Sequence, residues 1–478
     1  MFSPRVSPIS RHLLDSGLAL GTLSLAVLIG YLLLAPEQPR ATPVPSAQSW
    51  VDGQRPPPVP LVLPEPWPEP ARGVVLDADH GLPIAGATVS VGRYEAMTDA
   101  HGRFTLDSFS PDAKPLVKAP GYKPRRMPIR AGWSTVTLKP HAIKAAYLSY
   151  YGISDRGTRE RVFELLDRTE LNAVVIDVKG DRGFIPYLTR VPLAVEAGAR
   201  GPVRVQNFEQ LLAGLKTRGI YTIGRIVVFK DDLLARYRPE WAILDARTAE
   251  PWIDDEELAW VDPFREEVWE YVIAVAREAA LKGFNEIQFD YLRFPTDGKL
   301  SAARYSRPNT QKARLEAIST FLARVRRELA PLGVFLAADV FGYIAFNADD
   351  TQIGQRVEEL ARHLDYLSPM VYPSSYHRGV PGYPNPVEHP YEVVRATIRL
   401  MLKRAAHAPV QVRPWLQDFR DYAFDRRPFG VKELRAQIKG AEDAGSQGWM
   451  LWNPRNRYTV EALRREAQLA DPEPWSEP

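Results

Sequence analysis

The chain has no cysteine among its 478 residues, and its eight histidines are scattered. Disulfides and thiolate chemistry are therefore excluded, which fits an oxidising compartment. The sequence has no His-Glu-x-x-His motif and no dense His/Cys cluster, which speaks against a zinc hydrolase. It also lacks a Walker loop and a Gly-x-Ser-x-Gly elbow. We predict no metal and no cofactor; a metal site built only of carboxylates is the alternative that the sequence leaves.

The chain also has almost no excess of one sign of charge, because its formal net charge is only +3. Such a small excess gives no reason to expect nucleic acid or a strongly acidic partner. Apolar residues make up 45% of the chain and charged residues 25%, which are ordinary globular values. The length is enough for two or three domains.

Long apolar runs are absent except near the N-terminus, where Leu18 to Ala35 carries no charge. Arg5 and Arg11 precede this 18-residue run, which is just long enough to cross a membrane with the N-terminus cytoplasmic. A cleaved signal peptide is the alternative, although its apolar region is usually shorter, about 7–15 residues. We favour an uncleaved signal anchor over residues 1–35. Both alternatives place the rest of the chain outside the cytoplasmic membrane.

Residues 36–70 contain 12 prolines and cannot build a core, so we expect a semi-rigid linker. Residues 71–140 then contain strand-like runs at 73–76, 87–91, 103–106 and 134–138, punctuated by glycines. This pattern predicts a small antiparallel β-sandwich. Asp99 and His101 flank a tight turn, which we interpret as turn chemistry. The sequence of this segment resembles that of the carboxypeptidase-regulatory-like domain, which is usually a structural or binding appendage.

A strand-then-helix pattern repeats eight times from residue 143 to residue 470, and 471–478 form a tail. The predicted strands are 145–151, 173–179, 221–229, 286–292, 334–341, 365–372, 410–418 and 448–453. The predicted helices are 159–169, 207–218, 264–282, 310–329, 351–363, 391–406, 431–444 and 459–470. Eight such units predict an α/β fold, a (β/α)8 barrel. An open doubly wound sheet is the alternative, but the segment after the first strand is not a glycine-rich phosphate loop.

The fourth predicted strand carries the most informative segment, Asn285 to Pro295. Glu286, Gln288 and Asp290 alternate with apolar residues, so one face of the strand is polar. A buried parallel strand is usually apolar on both faces. A polar inner face that ends on an acid suits a barrel whose active site opens at the carboxyl end of its strands. Asp290 is therefore the first candidate for catalysis.

Other strands also end in polar or aromatic residues that we expect at the same mouth. The second strand places Asp177 and Lys179 on one face, and the third strand contains Arg225. The fifth strand has Asp339, the acid that we expect to partner Asp290. The remaining candidates for substrate binding are Gln288, Tyr291, Arg293, Tyr372, Trp415, Gln417, Asp418 and Trp452.

Several of these candidates have a structural alternative. Asp177 suits an ion pair with Lys179 better than catalysis, and Asp418 fits a loop cap as well as a site acid. Trp415 and Trp452 fit barrel packing as well as sugar stacking. Arg225 suits orientation of an acid or contact with substrate, since a guanidinium does not titrate.

The barrel segment resembles an uncharacterised bacterial glycoside-hydrolase-like domain family of the TIM-barrel glycosidase superclan. The resemblance covers nearly all of residues 144–470 and is strongest at 171–179, 225–231, 260–263, 283–295, 338–342, 365–374 and 413–419. Related barrels place a nucleophilic Asp at the end of the fourth strand, which implies Asp290. Their acid comes from the fifth or sixth strand. Here the sixth strand ends at Tyr372 without an acid, which favours Asp339.

These observations predict a membrane-anchored O-glycosyl hydrolase that acts on an envelope or exported polysaccharide. Two carboxylates at a barrel mouth suffice for glycosidic cleavage, one as nucleophile or base and one as acid. We expect a covalent mechanism without a cofactor or a nucleic-acid partner. Two alternatives stay open at this stage: a non-catalytic glycan-binding or scaffold protein, and a transglycosidase.

Overall fold

The structure is a computed structural model, and it describes residues 70–92, 94–107, 114–128, 132–202 and 204–464. The predicted signal anchor and nearly all of the proline-rich linker lie outside these residues. None of the helices in these ranges is both long enough and apolar enough to cross a membrane.

The described N-terminal part consists of two small sheets that enclose a shared apolar core. Its strands are β1 Ala71–Asp77, β2 Thr88–Val91, β3 Tyr94–Met97, β4 Arg103–Leu106, β5 Leu116–Lys118, β6 Arg125–Arg126 and β7 Gly132–Leu138. One sheet has the order β4-β1-β7 and the other β3-β2-β5-β6. The strand pairs are antiparallel, as predicted, except for β1 and β7, which run parallel. β5 and β6 of the other sheet lie between β4 and β7 in the chain, and β7 returns beside β1 in the same direction.

Two local features of these sheets follow from side-chain size and polarity. Gly73 lies where β1 approaches β7, since a Cβ there would come within 2.2 Å of the Ser134 carbonyl oxygen. The Asp99 carboxylate accepts hydrogen bonds from the backbone N–H groups of His101 and Arg103, which confirms the predicted turn chemistry. The resemblance to the carboxypeptidase-regulatory-like domain stays a prediction.

The two-sheet part contacts the barrel at the amino ends of its strands. Lys118 Nζ donates a hydrogen bond to the Val334 carbonyl oxygen at 2.5 Å, just before a barrel strand begins. The Gly121 N–H donates to the Tyr366 hydroxyl at 2.8 Å, at the start of the next strand. This part of the chain therefore covers the end of the barrel opposite the carboxyl ends of the strands.

Eight parallel strands close into a barrel, as predicted. They are β8 Ile143–Leu148, β9 Ala173–Lys179, β10 Tyr221–Val227, β12 Glu286–Asp290, β14 Phe335–Phe341, β15 Tyr366–Met370, β16 Gln411–Val412 with β17 Trp415–Gln417, and β18 Gly448–Trp452; the short pair β11 Leu244–Asp245 and β13 Ala303–Arg304 lies outside the ring. Their order around the barrel is β14-β12-β10-β9-β8-β18-β17-β15, and β14 pairs with β15 to close the ring. The seventh strand is interrupted at Arg413-Pro414, because proline cannot donate to the ladder.

Helices follow the strands and bury their apolar faces against the outside of the barrel. They are α1 Tyr150–Ser154, α2 Arg156–Arg168, α3 Pro192–Glu196, α4 Phe208–Thr217, α5 Asp232–Tyr237, α6 Glu266–Lys282, α7 Gln311–Leu329, α8 Val357–Leu360, α9 Pro390–Ala405 and α10 Val431–Ala444. Short 3-10 turns lie at Pro239–Trp241, Leu300–Ala302, Ala330–Leu332, Gly342–Ala345, Pro373–Ser375, Pro386–Glu388 and Val460–Ala462.

Two predicted helices differ from the structure. The helix predicted over 351–363 shrinks to α8, because the Asp350 carboxylate accepts hydrogen bonds from the Gln352 and Gly354 N–H groups and pairs with Arg314. A short carboxylate that binds the following backbone competes with helix formation. The helix predicted over 459–470 begins with a 3-10 turn, and residues 465–470 lie outside the described residues.

The barrel interior is layered, and its lower layers contain the polar residues of β12. Glu286 forms a fully buried ion pair with Arg413 and accepts a hydrogen bond from the Tyr221 hydroxyl at 2.9 Å. Above it, Gln288 donates to the Ser368 hydroxyl at 3.1 Å. Asp290 lies on the same face at the carboxyl end of the strand. The predicted polar inner face of β12 is therefore confirmed.

Candidate active site

Asp290 ends β12 because the chain leaves the sheet at the next residue. Tyr291 has a left-handed φ of +49°, and Pro295 follows four residues later. This bend lets the Tyr291 N–H donate a hydrogen bond to Asp290 Oδ1 at 2.6 Å. Asp290 is 7% exposed, so its side chain is held at the edge of the barrel interior.

Arg225 connects three acids at the mouth of the barrel. Its Nε and Nη2 donate to Asp290 Oδ2 at 3.0 and 2.5 Å. Its Nη1 donates to Asp177 Oδ1 at 2.6 Å. Asp339 Oδ2 lies 3.8 Å from Arg225 Nε. The guanidinium therefore fixes two carboxylates directly and lies beside the third.

Asp339 differs from Asp290 in its surroundings. It is 1% exposed, and its Oδ1 accepts a hydrogen bond from the Trp415 indole N–H at 2.6 Å. Burial, together with the nearby charge of Asp290, raises the pKa of Asp339 well above its usual range. These surroundings favour the protonated form of Asp339 more than those of a solvent-exposed aspartate would.

The distance between the two acids is bounded by their common neighbour. Asp290 Oδ2 and Asp339 Oδ2 lie 3.0 and 3.8 Å from Arg225 Nε, so these oxygens are separated by no more than the sum of the two distances. Carboxyl groups of glycosidases are separated by roughly 5 Å in retaining enzymes and by up to ~9 Å in inverting ones. The separation of these two oxygens therefore does not exceed the range that glycosidic cleavage uses.

Asp177 lies on the other side of Arg225 and has three hydrogen-bond donors. Besides Arg225, the Tyr147 hydroxyl donates to Asp177 Oδ2 at 2.7 Å and the Tyr150 N–H donates to it at 2.9 Å. Burial raises the pKa of Asp177, and the Arg225 charge opposes that effect. These contacts hold Asp177 as an anchor for Arg225.

Two cavity lobes open at the mouth and share the side chains of Arg225, Tyr291 and Trp452. The lobe beside Asp177 encloses about 180 Å³, and the lobe beside Asp290 and Asp339 encloses about 290 Å³. Trp452 stacks on Tyr147 with ring centroids 4.1 Å apart, and its ring lies 5.2 Å from the Arg225 guanidinium. The first lobe is further lined by Tyr150, Tyr151, Asp181, Arg182 and Phe184, and the second by Arg293, Phe341, Met370, Tyr372, Phe419 and Tyr422.

Comparison with known families matches residues 145–458 to the family described as "Putative glycosyl hydrolase domain". The match spans nearly the whole barrel and more than half of the chain. The chain belongs to this glycosyl hydrolase family. The prediction of a glycosidase barrel is thereby confirmed at the level of the family. None of the curated proteins matches the chain.

Several solved structures are similar to part of this chain. A hypothetical protein from Ruminiclostridium thermocellum is 36% identical over 41% of this chain and 97% of its own, with a TM-score of 0.36. The PgaB (BpsB) glycoside hydrolase domain from Bordetella bronchiseptica is 13% identical over 68% of this chain and 99% of its own, with a TM-score of 0.48. The α-L-fucosidase isoenzyme 2 from Paenibacillus thiaminolyticus is 13% identical over 67% of this chain and 48% of its own, with a TM-score of 0.45.

Most predicted site residues of this glycosyl hydrolase domain meet at the two lobes. Asp177, Arg225, Asp290, Tyr291, Arg293, Asp339, Tyr372, Trp415 and Trp452 all line one lobe or both. Tyr372 packs edge-on against Phe419 beside Asp339. Trp415 is 1% exposed, so its contribution is the hydrogen bond to Asp339 rather than a stacking surface.

Lys179 is not at the mouth, and the prediction that it shares a face with Asp177 is wrong. Arg225 pairs with Asp177 and the next residue, Ile226, pairs with Lys179, so Val178 is an extra residue in β9. This bulge turns Lys179 toward the outer layer. There its Nζ pairs with Asp231 at 2.7 Å and lies 5.9 Å from the Tyr271 ring. Asp177 consequently pairs with Arg225 instead of Lys179.

Three further candidates support the site without lining it. Gln288 is fully buried one layer below Asp290. Gln417 donates to the Ser374 hydroxyl at 2.7 Å and joins two loops of the mouth. Asp418 accepts from the Thr459 N–H and hydroxyl at 2.8 and 2.6 Å, so it caps a loop. The prediction that these three bind substrate is therefore not supported by their positions, since Gln288 is buried below the mouth and the side chains of Gln417 and Asp418 bind protein groups.

Sequence reasoning missed Tyr147, which contacts Asp177, Trp452 and Arg225. The hydroxyl reaches Asp177, while the ring lies 5.5 Å from the Arg225 guanidinium. The sequence feature that could have identified Tyr147 as a site residue is its position near the carboxyl end of the first strand. Phe419 and Tyr422 were also missed, because the loop after β17 has no periodic pattern.

No group of three or more His, Asp or Glu side chains with the arrangement of a metal site occurs in the described ranges. The three aspartates of the mouth instead surround the Arg225 guanidinium. Their negative charge is opposed by this protein cation.

We predict that Asp339→Asn raises the stability of the folded protein at pH 7. The folded-state pKa of Asp339 is raised, so the native state keeps a proton that the unfolded chain releases once the pH exceeds the ordinary pKa of an aspartate. Stability therefore falls as the pH rises above that value. A neutral amide removes this penalty and still accepts from Trp415. Thermal unfolding at pH 4 and pH 8 should show a smaller decrease for the variant than for the wild type; an identical decrease contradicts the assignment.

Proposed function

We propose that the protein is a retaining O-glycosyl hydrolase of an envelope or exported polysaccharide, with Asp290 as nucleophile and Asp339 as general acid. One observation carries the proposal. The two acids lie beside the same guanidinium nitrogen, yet Asp290 accepts N–H groups on both oxygens while Asp339 is almost fully buried, which raises its pKa. Two carboxyl groups in such different surroundings suit two different roles.

The first step requires a proton donor and a nucleophile on opposite sides of the scissile bond. Asp339 gives its proton to the glycosidic oxygen as the bond to the leaving sugar breaks. Asp290 attacks the anomeric carbon and forms a glycosyl ester. Asp339, now a carboxylate, then accepts a proton from the water that attacks the ester, which releases the sugar and restores both acids.

Arg225 acts as a positioning residue in this scheme. It orients the Asp290 carboxylate, and Asp177 with Tyr147 holds Arg225 in place. Trp452, Tyr291, Tyr372 and Arg293 form the walls that contact the sugar. Because the two lobes meet at Arg225, sugar units have room on both sides of the reacting bond.

A glycan-binding protein without catalysis would not need a close pair of acids. The two distances to Arg225 Nε limit the separation of the Asp290 and Asp339 Oδ2 oxygens to well under ~10 Å. Beyond about that separation, no joint role in cleavage is expected. This closeness favours an enzyme. A transglycosidase would use the same ester with a sugar acceptor in place of water, and only its products differ.

The location of the enzyme is part of the proposal. A signal anchor over residues 1–35 and a proline-rich linker to residue 70 would hold the barrel outside the cytoplasmic membrane. Fractionation of cells that produce the full chain, with a variant lacking residues 1–35 as control, tests this. Recovery of the full chain in the soluble cytoplasm would contradict it.

The activity is tested by incubating the full chain with a panel of bacterial envelope and exopolysaccharides. New reducing ends should appear, and proton NMR should detect the retained anomer as the first product. Inversion in the first-formed product would exclude the covalent mechanism while leaving hydrolysis intact. Transfer products that exceed hydrolysis products would favour the transglycosidase.

We predict that Trp415→Phe moves the alkaline limb of the pH–rate profile to higher pH. The indole N–H stabilises the charged form of Asp339 and so lowers its pKa; its removal raises that pKa further. The acid then stays protonated to a higher pH. The profile of kcat/KM against pH measures the shift. An unchanged alkaline limb would show that Asp339 does not control it.

A further inference from the structure

Arg293 is a buried cation without a carboxylate partner. Four arginines are buried in the described part of the chain, and three of them pair with an acid: Arg225 with Asp177 and Asp290, Arg314 with Asp350, and Arg413 with Glu286. Arg293 is 7% exposed, and no acid of the described residues lies within ion-pairing distance of it. Because an unpaired buried charge is costly, this exception points to a missing partner.

The Arg293 guanidinium is held by aromatic rings around it and by the hydrogen bonds that one of its nitrogens donates. The rings of Tyr291, Phe341 and Trp260 lie 4.8, 4.9 and 5.1 Å from its central carbon. Nη1 donates to the Phe294 carbonyl oxygen at 3.1 Å and to Thr296 Oγ1 at 3.3 Å. These contacts fix the group, while Nε and Nη2 have no hydrogen bond to a described residue.

Arg293 lines the same lobe as Asp290 and Asp339. Aromatic rings stabilise a cation through their faces, but they do not accept its N–H hydrogen bonds. A carboxylate accepts two parallel N–H groups from one guanidinium, a geometry that lysine cannot offer. The free donors therefore match a planar anion that enters the lobe with the substrate.

We propose that Arg293 recognises a carboxylate on the sugar in this lobe, so that the substrate is an acidic polysaccharide that contains uronic acid or another carboxylated sugar. This inference rests on the proposed function, since it assigns a substrate class to the same site. A neutral glycan would offer only hydroxyl groups to Arg293 and would leave its charge unpaired.

Binding to the Asp339→Asn protein tests the proposal, because this variant slows turnover and keeps the size of the Asp339 side chain. The probes are oligogalacturonate, oligomannuronate and oligoglucuronate, the same oligosaccharides after reduction of their carboxyl groups, and a sulfated oligosaccharide. Calorimetry measures each affinity with Arg293 intact and in Arg293→Met and Arg293→Lys. Arg277→Met, on the exposed face of α6, is the control for loss of one positive charge.

At least one carboxylated oligosaccharide should bind more tightly than its reduced form, and Arg293→Met should weaken that binding about 30-fold or more. Arg293→Lys should recover only part of the affinity, and Arg277→Met should change little. A merely structural role of Arg293 would weaken the acidic and the reduced glycans equally, and that result overturns the proposal. Preference for the sulfated probe, or binding of none of the carboxylated probes, also overturns it.

The outcome also separates this inference from the proposed function. Arg293-dependent binding of an acidic glycan that the wild type does not cleave supports the inference and contradicts the hydrolase. Cleavage of a neutral glycan at a rate that Arg293→Met leaves unchanged supports the hydrolase and contradicts the inference.

Discussion

Asp290→Asn should lower kcat/KM for polysaccharide hydrolysis by about 10⁴-fold or more, because the amide cannot form the glycosyl ester. The fold should persist, since the introduced amide oxygen can still accept the Tyr291 N–H or one donor of Arg225, while Arg225 keeps Asp177. The measurement is initial-rate kinetics on the polysaccharide that the wild type cleaves. Thermal unfolding of the same preparation establishes that the variant is folded.

A surface variant provides the control for this experiment. Asp443 is exposed on α10, so Asp443→Asn makes the same chemical change far from the mouth and should leave the rate within about twofold. Turnover of Asp290→Asn near the wild-type rate would remove Asp290 from the mechanism. The search for a nucleophile would then turn to Asp177, the third acid on Arg225.

Asp339→Asn should lower the rate in a way that depends on the leaving group. On a natural linkage, which needs a proton at the leaving oxygen, the loss should be about 10²–10⁴-fold. On a dinitrophenyl glycoside of the same sugar, which leaves without a proton, the first step should be nearly unaffected. Pre-steady-state kinetics measures this step, since release of dinitrophenol precedes hydrolysis of the ester.

The pH profile gives a second readout of the same variant. Burial and Asp290 raise the pKa of Asp339, so the wild-type rate should fall as the pH rises through that pKa. The alkaline limb should disappear in Asp339→Asn. An equal loss for both leaving groups would instead assign Asp339 a positioning role.

The positions of Asp290 and Asp339 could be predicted from the sequence because strand periodicity fixes which residues face inward. Alternation along β12 and β14 put Asp290 and Asp339 on inner faces near the carboxyl ends of their strands, and the closed barrel confirms both placements. The same rule failed for Lys179. A single bulged residue, Val178, reverses the facing of every later side chain in β9, and no residue type in the segment signals it.

Helix prediction failed where side chains compete with the backbone. The segment after Asp350 has helical periodicity, but its carboxylate binds the Arg314 guanidinium and two backbone N–H groups. Arg314 lies on α7, 36 residues away in sequence. A local pattern cannot report a partner at that distance, so the shortening of α8 to four residues was not predictable.

The sequence by itself determined the eightfold strand–helix repeat, the inner face of β12 and the family, because each depends on local periodicity or on contiguous motifs. Only the tertiary structure decided which groups meet at the mouth. Arg225 joins three acids from three other strands, Trp415 donates to Asp339, and Arg293 is left without an acid among the described residues. The physical reason is that ion pairs and burial depend on distances across the barrel, which sequence spacing does not encode.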